Sequence, residues 1–140
     1  MKVEYDLNWF TANADEFDKW FDAETFDWWY SYLLAKYCSK HFNKWWNVDK
    51  FNWVLVKYLP RYCSDHFDLW WDASKYNWNF CDPLTIWCVK DFKKWFDPDK
   101  FNWKESKGQL RYSCLDYVSI WYDSSKFEES YDELLIKSIK

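Results

Sequence analysis

Apolar and polar residues follow one another along this chain with a helical spacing. Positions 33, 34, 37, 38, 42, 45 and 46 are all apolar and lie three to four residues apart, which is typical of a broad apolar helix stripe. The stripe predicts one long helix of about four turns. Similar stripes return along the chain, so the pattern predicts helices throughout.

Three short motifs recur with a period of 25 residues. The segment HFNKWWN at 41–47 has counterparts at 16–22, 66–72 and 91–97. The motif Phe51-Asn52-Trp53 and the pair Tyr37-Cys38 keep the same step in neighbouring copies. Because three independent motifs agree, the sequence indicates tandem repeats. An eroded copy follows Asp116, where Trp121 comes one residue late and indicates one inserted residue.

Two kinds of helix start signal occur among the copies. Asp82-Pro83 and, in the next copy, Ser106 predict the start of the long helix. Asp97-Pro98 predicts a second start, which is matched at earlier copies by Asp22, Asn47 and Asp72. We therefore expect a short helix of about two turns, a loop after the Asn-Trp pair, and then the long helix.

These elements predict an all-α fold, because neither helix of a copy can bury its apolar face alone. We expect an α-solenoid of about five 25-residue helix-turn-helix repeats, each with one short and one longer helix. The predicted organisation is a single repeat domain over 1–140. It has an N-terminal cap at 1–15, repeats at 16–40, 41–65, 66–90 and 91–115, and a degenerate C-terminal capping repeat at 116–140. The cap, with Asn8-Trp9-Phe10 close before Glu16, looks like a copy without its long helix, and 116–140 should have a polar outer face.

Two segments carry a resemblance to a known type of repeat. They are 95–103, WFDPDKFNW, and 62–72, YCSDHFDLWWD. Both are similar to uncharacterised tryptophan-rich tandem helical repeats of about 25 residues in predicted microbial or viral proteins. The resemblance covers roughly residues 16 to 127 and implies the repeat boundaries, but no activity.

Composition excludes several classes of function. The chain has 37 aromatic residues among 140 (Trp 14, Tyr 11, Phe 12) and a single glycine, which argues against Rossmann and phosphate-binding loops. The net charge of −4 disfavours binding to nucleic acid or to an anionic membrane. No apolar stretch is long enough to span a membrane, and the mixed charges of the first six residues lead us to expect no secretory signal. Five cysteines, an odd number, favour reduced thiols and a cytoplasmic location.

Cysteine and histidine give the sharpest chemical alternatives. Cys38, Cys63 and Cys88 recur on the apolar stripe, and we expect buried thiols between helices. Cys38-x-x-His41 and Cys63-x-x-His66 together could form a zinc site. Since other copies carry Glu or Asp in place of the histidine, we assign no metal and no cofactor. We assign no catalytic residue either, because no unrepeated Ser/His/Asp set appears.

The Asn-Trp pairs are the candidate binding residues. In the structural interpretation, Asn or Asp closes the short helix or the following turn while Trp packs between copies. In the functional interpretation, a ladder of exposed indoles stacks on sugar rings or another ring-bearing ligand. The residues are Trp28, Trp53, Trp78 and Trp103 with Asn52, Asn77 and Asn102; Asp27 replaces the first Asn.

Adjacent tryptophans suggest a surface as well as a core. Side chains of neighbouring helical residues diverge by about 100°, so one indole of Trp28-Trp29, Trp45-Trp46 or Trp70-Trp71 should lie at an edge. We therefore predict a non-enzymatic scaffold for protein–protein interaction or assembly, with aromatic anchors for a protein partner and self-association as a subcase. Carbohydrate binding through the Asn-Trp ladder is the alternative.

Overall fold

The computed structural model describes residues 5–139, and the regular secondary structure of that range is entirely helical. The prediction that the chain is all-helical is confirmed for these residues. The α-helices are α1 Leu7–Asn13, α2 Phe17–Trp20, α3 Ser31–Tyr37, α4 Phe42–Trp45, α5 Tyr58–Tyr62, α6 Phe67–Trp70, α7 Cys81–Trp87, α8 Phe92–Trp95, α9 Trp103–Ser113, α10 Val118–Trp121 and α11 Tyr131–Ser138. Short 3₁₀ segments are Ala14–Glu16, Trp28–Tyr30, Ser39–His41, Trp53–Leu55, Ser64–His66, Val89–Asp91 and Leu115–Tyr117.

The chain divides into two compact units. Unit 1 runs to Lys75 and contains α1 to α6, and unit 2 runs from Tyr76 and contains α7 to α11. In the described part of the chain, no helix is both long enough and apolar enough to cross a membrane.

Unit 1 is built around α3, which packs against α1 and α5. Leu34 and Leu59 on the packed helices are fully buried, and Trp45 is 1% exposed. In unit 2, α7 packs against α9, and α11 packs against α10. The core of each unit therefore combines buried leucines of the long helices with large aromatic side chains.

The predicted long helix is wrong in one respect, because it is interrupted near its middle. Cys38, Cys63, Cys88 and Cys114 end α3, α5, α7 and α9 with φ between −125° and −119° and ψ between 26° and 33°. A 3₁₀ turn and a single α-helical turn follow each cysteine. Two hydrogen bonds to the Cys38 carbonyl hold the break, from the amide of His41 at 2.9 Å and from the indole of Trp45 at 2.8 Å. The spacing of apolar residues predicts which side chains are buried, but it does not predict that the backbone breaks at the cysteine.

The predicted short helix is also wrong, since it is only a single turn. The amide of Phe26 donates to the Asp22 carbonyl at 2.9 Å, and the side chain of Asp22 accepts from the amide of Glu24 at 2.9 Å. The same side-chain bond recurs at Asn47, Asp72, Asp97 and Asp123. The turn ends there because the next Asp or Asn starts a new segment.

Two predicted helix starts are displaced. Helix α7 begins at Cys81, so Asp82 lies inside its first turn rather than at the cap. Helix α9 begins at Trp103, three residues before Ser106, because Asn102 accepts a hydrogen bond from the amide of Glu105 at 3.2 Å. Both Cys81 and Ser106 are buried.

The inserted residue lies earlier than predicted. Cys114, rather than Ser113, takes the capping position that Cys38, Cys63 and Cys88 hold in the earlier copies, and its carbonyl accepts the indole hydrogen bond of Trp121 at 2.7 Å. Ser106 is still in step with the buried Cys81, whereas Leu110 comes 26 residues after the buried Leu84. The extra residue is therefore within α9, between Ser106 and Leu110.

The two ends of the described chain also differ from expectation. Asn13 at the end of α1 accepts the indole hydrogen bond of Trp20 at 2.8 Å, so α1 occupies the place of a long helix rather than lacking one. At the other end, Leu135, Ile136 and Ile139 are 37%, 59% and 78% exposed. The exposed side of the last helix and its cap is thus mixed, since these apolar residues lie beside the exposed Asp132, Glu133 and Lys137.

Candidate functional site

The aromatic positions fall into three classes of exposure. Trp45, Trp70, Trp95 and Trp121 are each 1% exposed. Their sequence neighbours Trp46 and Trp71 are half-buried, and Trp29 beside Trp28 is 57% exposed. The prediction that one indole of each pair lies toward an edge is confirmed for these pairs.

Each fully buried indole donates to the carbonyl of the residue seven positions earlier. The acceptors are Cys38, Cys63, Cys88 and Cys114, at distances between 2.7 and 2.9 Å. These tryptophans are therefore structural, since both their ring and their N–H are used inside the core.

Three pairs of the candidate Asn-Trp ladder lie at the start of helical segments, whereas Asn77-Trp78 lies at a turn before α7. Asn52 accepts from the amide of Val54 at 3.2 Å, and its amide nitrogen donates to the carbonyl of Trp29 at 2.9 Å. Asn102 caps α9, and Asn77 accepts from the amide of Asn79 at 3.1 Å. These side chains cap the segment that follows them rather than closing the turn before them.

The ladder tryptophans use their polar atom locally. The indole N–H donates to the carbonyl of Ala23 from Trp28, of Val48 from Trp53 and of Pro98 from Trp103, at 2.9–3.0 Å. Trp78 makes an edge-to-face contact with Tyr76 at 5.9 Å. All four ladder indoles are half-buried.

Lysines cover part of the remaining ring surface. Lys50 Nζ lies 5.9 Å from the ring centre of Trp28, and Lys126 Nζ lies 5.6 Å from that of Trp103. A cation over an indole face is a favourable contact. A sugar stacking on these two faces would have to displace it.

Burial raises the pKa of all five thiols, to about 12 for Cys38, Cys63, Cys88 and Cys114 and to about 11 for Cys81. The expected burial of the cysteines is confirmed, and all five are thiols rather than disulfides. Because the thiolate is the reactive form, these groups are poor nucleophiles at neutral pH.

The histidines take part in ring stacking. His41 stacks on Phe17 at 4.7 Å and His66 on Phe42 at 4.6 Å, with interplanar angles of 7° and 5°. Tyr117 occupies the same place against Phe92 at 4.8 Å. Among residues 5–139, no group of three or more His, Cys, Asp or Glu side chains is arranged to hold a metal ion.

Four carboxyl groups have pKa values below their usual range. Hydrogen bonds from neighbouring side chains lower the pKa of Asp18, Asp72, Asp123 and Glu129. The donors are Lys44, Ser74, Ser125 and Arg111. Lowered pKa values keep these carboxylates ionised at neutral pH, so they are suited to ion pairing rather than to proton donation.

A shallow cleft of about 550 Å³ lies in unit 2 between the starts of α7 and α9. Its lining includes Asp82 and Asn102 together with Lys104 and Glu105. Oδ1 of Asp82 has no hydrogen-bond partner within the described chain, but this atom is completely buried. A ligand in the open cleft could not reach it without a rearrangement, so the cleft is a weak candidate.

Sequence reasoning missed three large exposed side chains in unit 2. Ile86 and Trp87 at the end of α7 are 44% and 45% exposed, and Tyr112 near the end of the adjoining α9 is 86% exposed. We name these three residues the α7/α9 patch. In unit 1, Lys36 and Arg61 stand where Ile86 and Tyr112 stand, each over the ring of the next tyrosine at 5.2 and 5.1 Å. Comparing the copies position by position would have revealed this change from cationic to apolar.

Comparison with known proteins gives no assignment. No protein-family model matches the chain, and no curated protein or solved structure shows significant similarity to it.

Proposed function

We propose that the chain is a single α-solenoid of five stacked copies that acts as a non-enzymatic scaffold for protein–protein interaction. The support for stacking is local and recurrent. Five indoles donate to the carbonyl seven residues earlier, and the long helices pack in successive pairs within each unit. In solenoids each copy contacts only its neighbours, which leaves long faces free for a partner.

The α7/α9 patch is the observation that carries the interaction proposal. Trp87 on α7 and Tyr112 on the adjoining α9 are exposed, and Trp and Tyr are residue types that dominate binding energy at protein interfaces. The patch comes from two packed helices, so it is presented on a rigid surface. Its partner is a protein with an apolar surface, because unit 2 lacks the cations that stand at these positions in unit 1.

Carbohydrate binding through the Asn-Trp ladder is less well supported. Three of the four ladder indoles spend their N–H on a nearby carbonyl, and Asn52 uses both ends of its amide internally. Few polar groups are left to bind sugar hydroxyls. We further propose a reducing, cytoplasmic environment, which the five reduced thiols support, and no role in binding nucleic acid, which the net charge of −4 supports.

Affinity capture followed by reconstitution tests the interaction proposal. The protein is immobilised, a captured partner is identified and purified, and its dissociation constant is measured by calorimetry. We expect Trp87→Ala combined with Tyr112→Ala to weaken binding about tenfold or more. Trp29→Ala is the matched control, because Trp29 is 57% exposed in unit 1 and should leave the affinity unchanged.

Two results would contradict the proposal. A purified partner that binds the double variant as well as the wild type would remove the α7/α9 patch from the interface. Binding to a glycan array that is lost in Trp53→Ala and Trp103→Ala would favour the carbohydrate alternative.

A further inference from the structure

A small cleft in unit 2 adjoins the α7/α9 patch. Its volume is about 320 Å³, and it is lined by Arg111 and Tyr112 of α9, by Glu129, and by Lys137 of α11. We name the space between these four residues the α9/α11 cleft. Tyr112 belongs both to this cleft and to the α7/α9 patch, so a partner that packs on the patch also reaches the cleft.

Comparison of the copies shows why a cation is exposed here. Ala35, Pro60 and Thr85 precede it at the matching position, directly after the buried leucine of each long helix, and all three are buried. The carbonyls of Ala35 and Thr85 accept the thiol of the cysteine that ends the next long helix, at 3.7 Å, so that helix covers them. Helix α11 instead packs against α10 and the 3₁₀ segment before it. Arg111 keeps 41% of its side chain exposed at a position that is small and buried in the earlier copies.

The cleft holds a carboxylate of its own chain, which shows the ligand chemistry that it favours. Nη1 of Arg111 donates to Oε1 and to Oε2 of Glu129, each at 2.9 Å. Nζ of Lys137 lies 3.7 Å from Oε2, which is an ion pair beyond hydrogen-bond distance. Two cations therefore share one carboxylate, and the lining keeps an excess of one positive charge.

Hydrogen-bond donors remain for a second carboxylate. A guanidinium has five N–H donors, and both bonds to Glu129 come from Nη1 alone. Within residues 5–139, Nε and Nη2 of Arg111 donate no hydrogen bond, although they form one edge of the guanidinium. Two parallel N–H groups on such an edge match the two oxygens of a carboxylate. Arg111 can thus bind a further carboxylate without releasing Glu129.

We infer that the α9/α11 cleft binds an Asp or Glu side chain of the protein partner whose apolar residues pack on the α7/α9 patch. The inference rests on the proposed function and adds the charge of the partner. The local excess of positive charge is complementary to an acidic side chain, although the whole chain has a net charge of −4. Such charge pairs at the rim of an interface contribute more to specificity than to affinity, so we expect modest effects on the dissociation constant.

Peptide binding followed by NMR tests the inference. The probes are acetyl-Leu-Glu-Glu-Leu-amide and acetyl-Leu-Gln-Gln-Leu-amide, which differ only in their side-chain charge and carry no terminal carboxylate. The acidic peptide should shift the backbone amide signals of Tyr112 and Lys137, with a dissociation constant on the order of 1 mM. The glutamine peptide should bind about threefold to fivefold more weakly, because an exposed ion pair contributes little to affinity.

Three variants locate the carboxylate contact. Arg111→Gln should abolish the preference for the acidic peptide. Lys93→Gln is the matched control, since Lys93 is an exposed cation of α8 outside the cleft and should leave the preference unchanged. Glu129→Gln should strengthen binding of the acidic peptide about threefold, because it removes the negative charge beside Arg111. A gain in affinity also separates this role from a merely structural one, since partial unfolding would weaken binding.

Three results would overturn the inference. They are equal binding of the two peptides, unshifted signals of Tyr112 and Lys137 at up to about 5 mM acidic peptide, and unchanged or weaker binding in Glu129→Gln.

Failure of this inference is distinguishable from failure of the proposed function. Equal binding of both peptides that is lost in Trp87→Ala combined with Tyr112→Ala would remove the acidic contact and leave the scaffold proposal standing. A captured partner that binds this double variant normally would contradict the α7/α9 patch, whereas a preference for the acidic peptide that Arg111→Gln abolishes would still confirm the cleft as a carboxylate site.

Discussion

Replacing Trp45 by phenylalanine tests whether the indole-to-carbonyl bond holds the helix break. The change removes the N–H that donates to the Cys38 carbonyl at 2.8 Å and leaves a ring of similar shape. The carbonyl keeps its bond from the His41 amide, so losing one of two partners should cost about 1–2 kcal/mol. The smaller ring leaves a gap of about 40 Å³, which adds about 1 kcal/mol. We expect the free energy of unfolding to fall by about 2–3 kcal/mol.

Trp46→Phe is the matched control for this prediction. Trp46 is half-buried and stacks on Phe42 at 5.2 Å, and its indole donates no hydrogen bond to residues 5–139. A phenylalanine can keep the stacking, so the loss should stay below about 1 kcal/mol. Circular dichroism at 222 nm during urea unfolding measures both variants without relying on tryptophan emission. Equal losses in the two variants, with unchanged m-values, would refute the role assigned to the bond.

Three further predictions concern the caps, the thiols and acid stability. Asn102→Asp should keep its cap and unfold like the wild type, whereas Asn52→Asp loses the bond to the Trp29 carbonyl and should cost about 1 kcal/mol by urea unfolding; equal effects would contradict the bridging role of Asn52. Burial raises the pKa of each thiol to about 11 or 12, so Ellman's reagent at pH 8 should react only slowly with the native protein. In urea, it should react with all five cysteines. A rapid reaction of the native protein would show that the thiols are exposed. The Arg111 hydrogen bond lowers the pKa of Glu129 below its usual 4.5, so its contribution is present above that pH and is lost as the pH falls through the folded-state pKa; the melting temperature of Glu129→Gln should therefore change less than that of the wild type in acid, and parallel curves would contradict this.

The helical class and most of the core could be predicted because they depend on the spacing of apolar residues. Leu34, Phe42 and Trp45 were expected inside and are buried. The break at Cys38 could not be predicted, because a helix and a helix with a tight internal turn bury nearly the same residues. Only the path of the backbone and the long reach of an indole N–H distinguish them.

The candidate site was predicted less well, for a related reason. Repetition pointed to Asn52 and Trp53, but a repeated residue also satisfies a repeated structural need, and here it caps a segment and ties an indole to the preceding turn. The exposed Trp87 and Tyr112 were missed because they depart from the residues at matching positions in other copies. In a chain of copies, surface specialisation is found where the copies differ.

The hydrogen bond between each buried indole and the carbonyl seven residues earlier divides each copy into two segments. One is the long helix before the break, and the other is the segment that the bond closes. Cys88 and Trp95 are separated by the same number of residues as Cys114 and Trp121, although α9 has gained a residue before Cys114. Lengthening is thus accommodated in the helix that precedes the break, while the loop closed by the bond stays the same size. Insertions should therefore be tolerated in the long helix before the break. Insertions within the seven-residue segment that the indole bond closes should disrupt the fold.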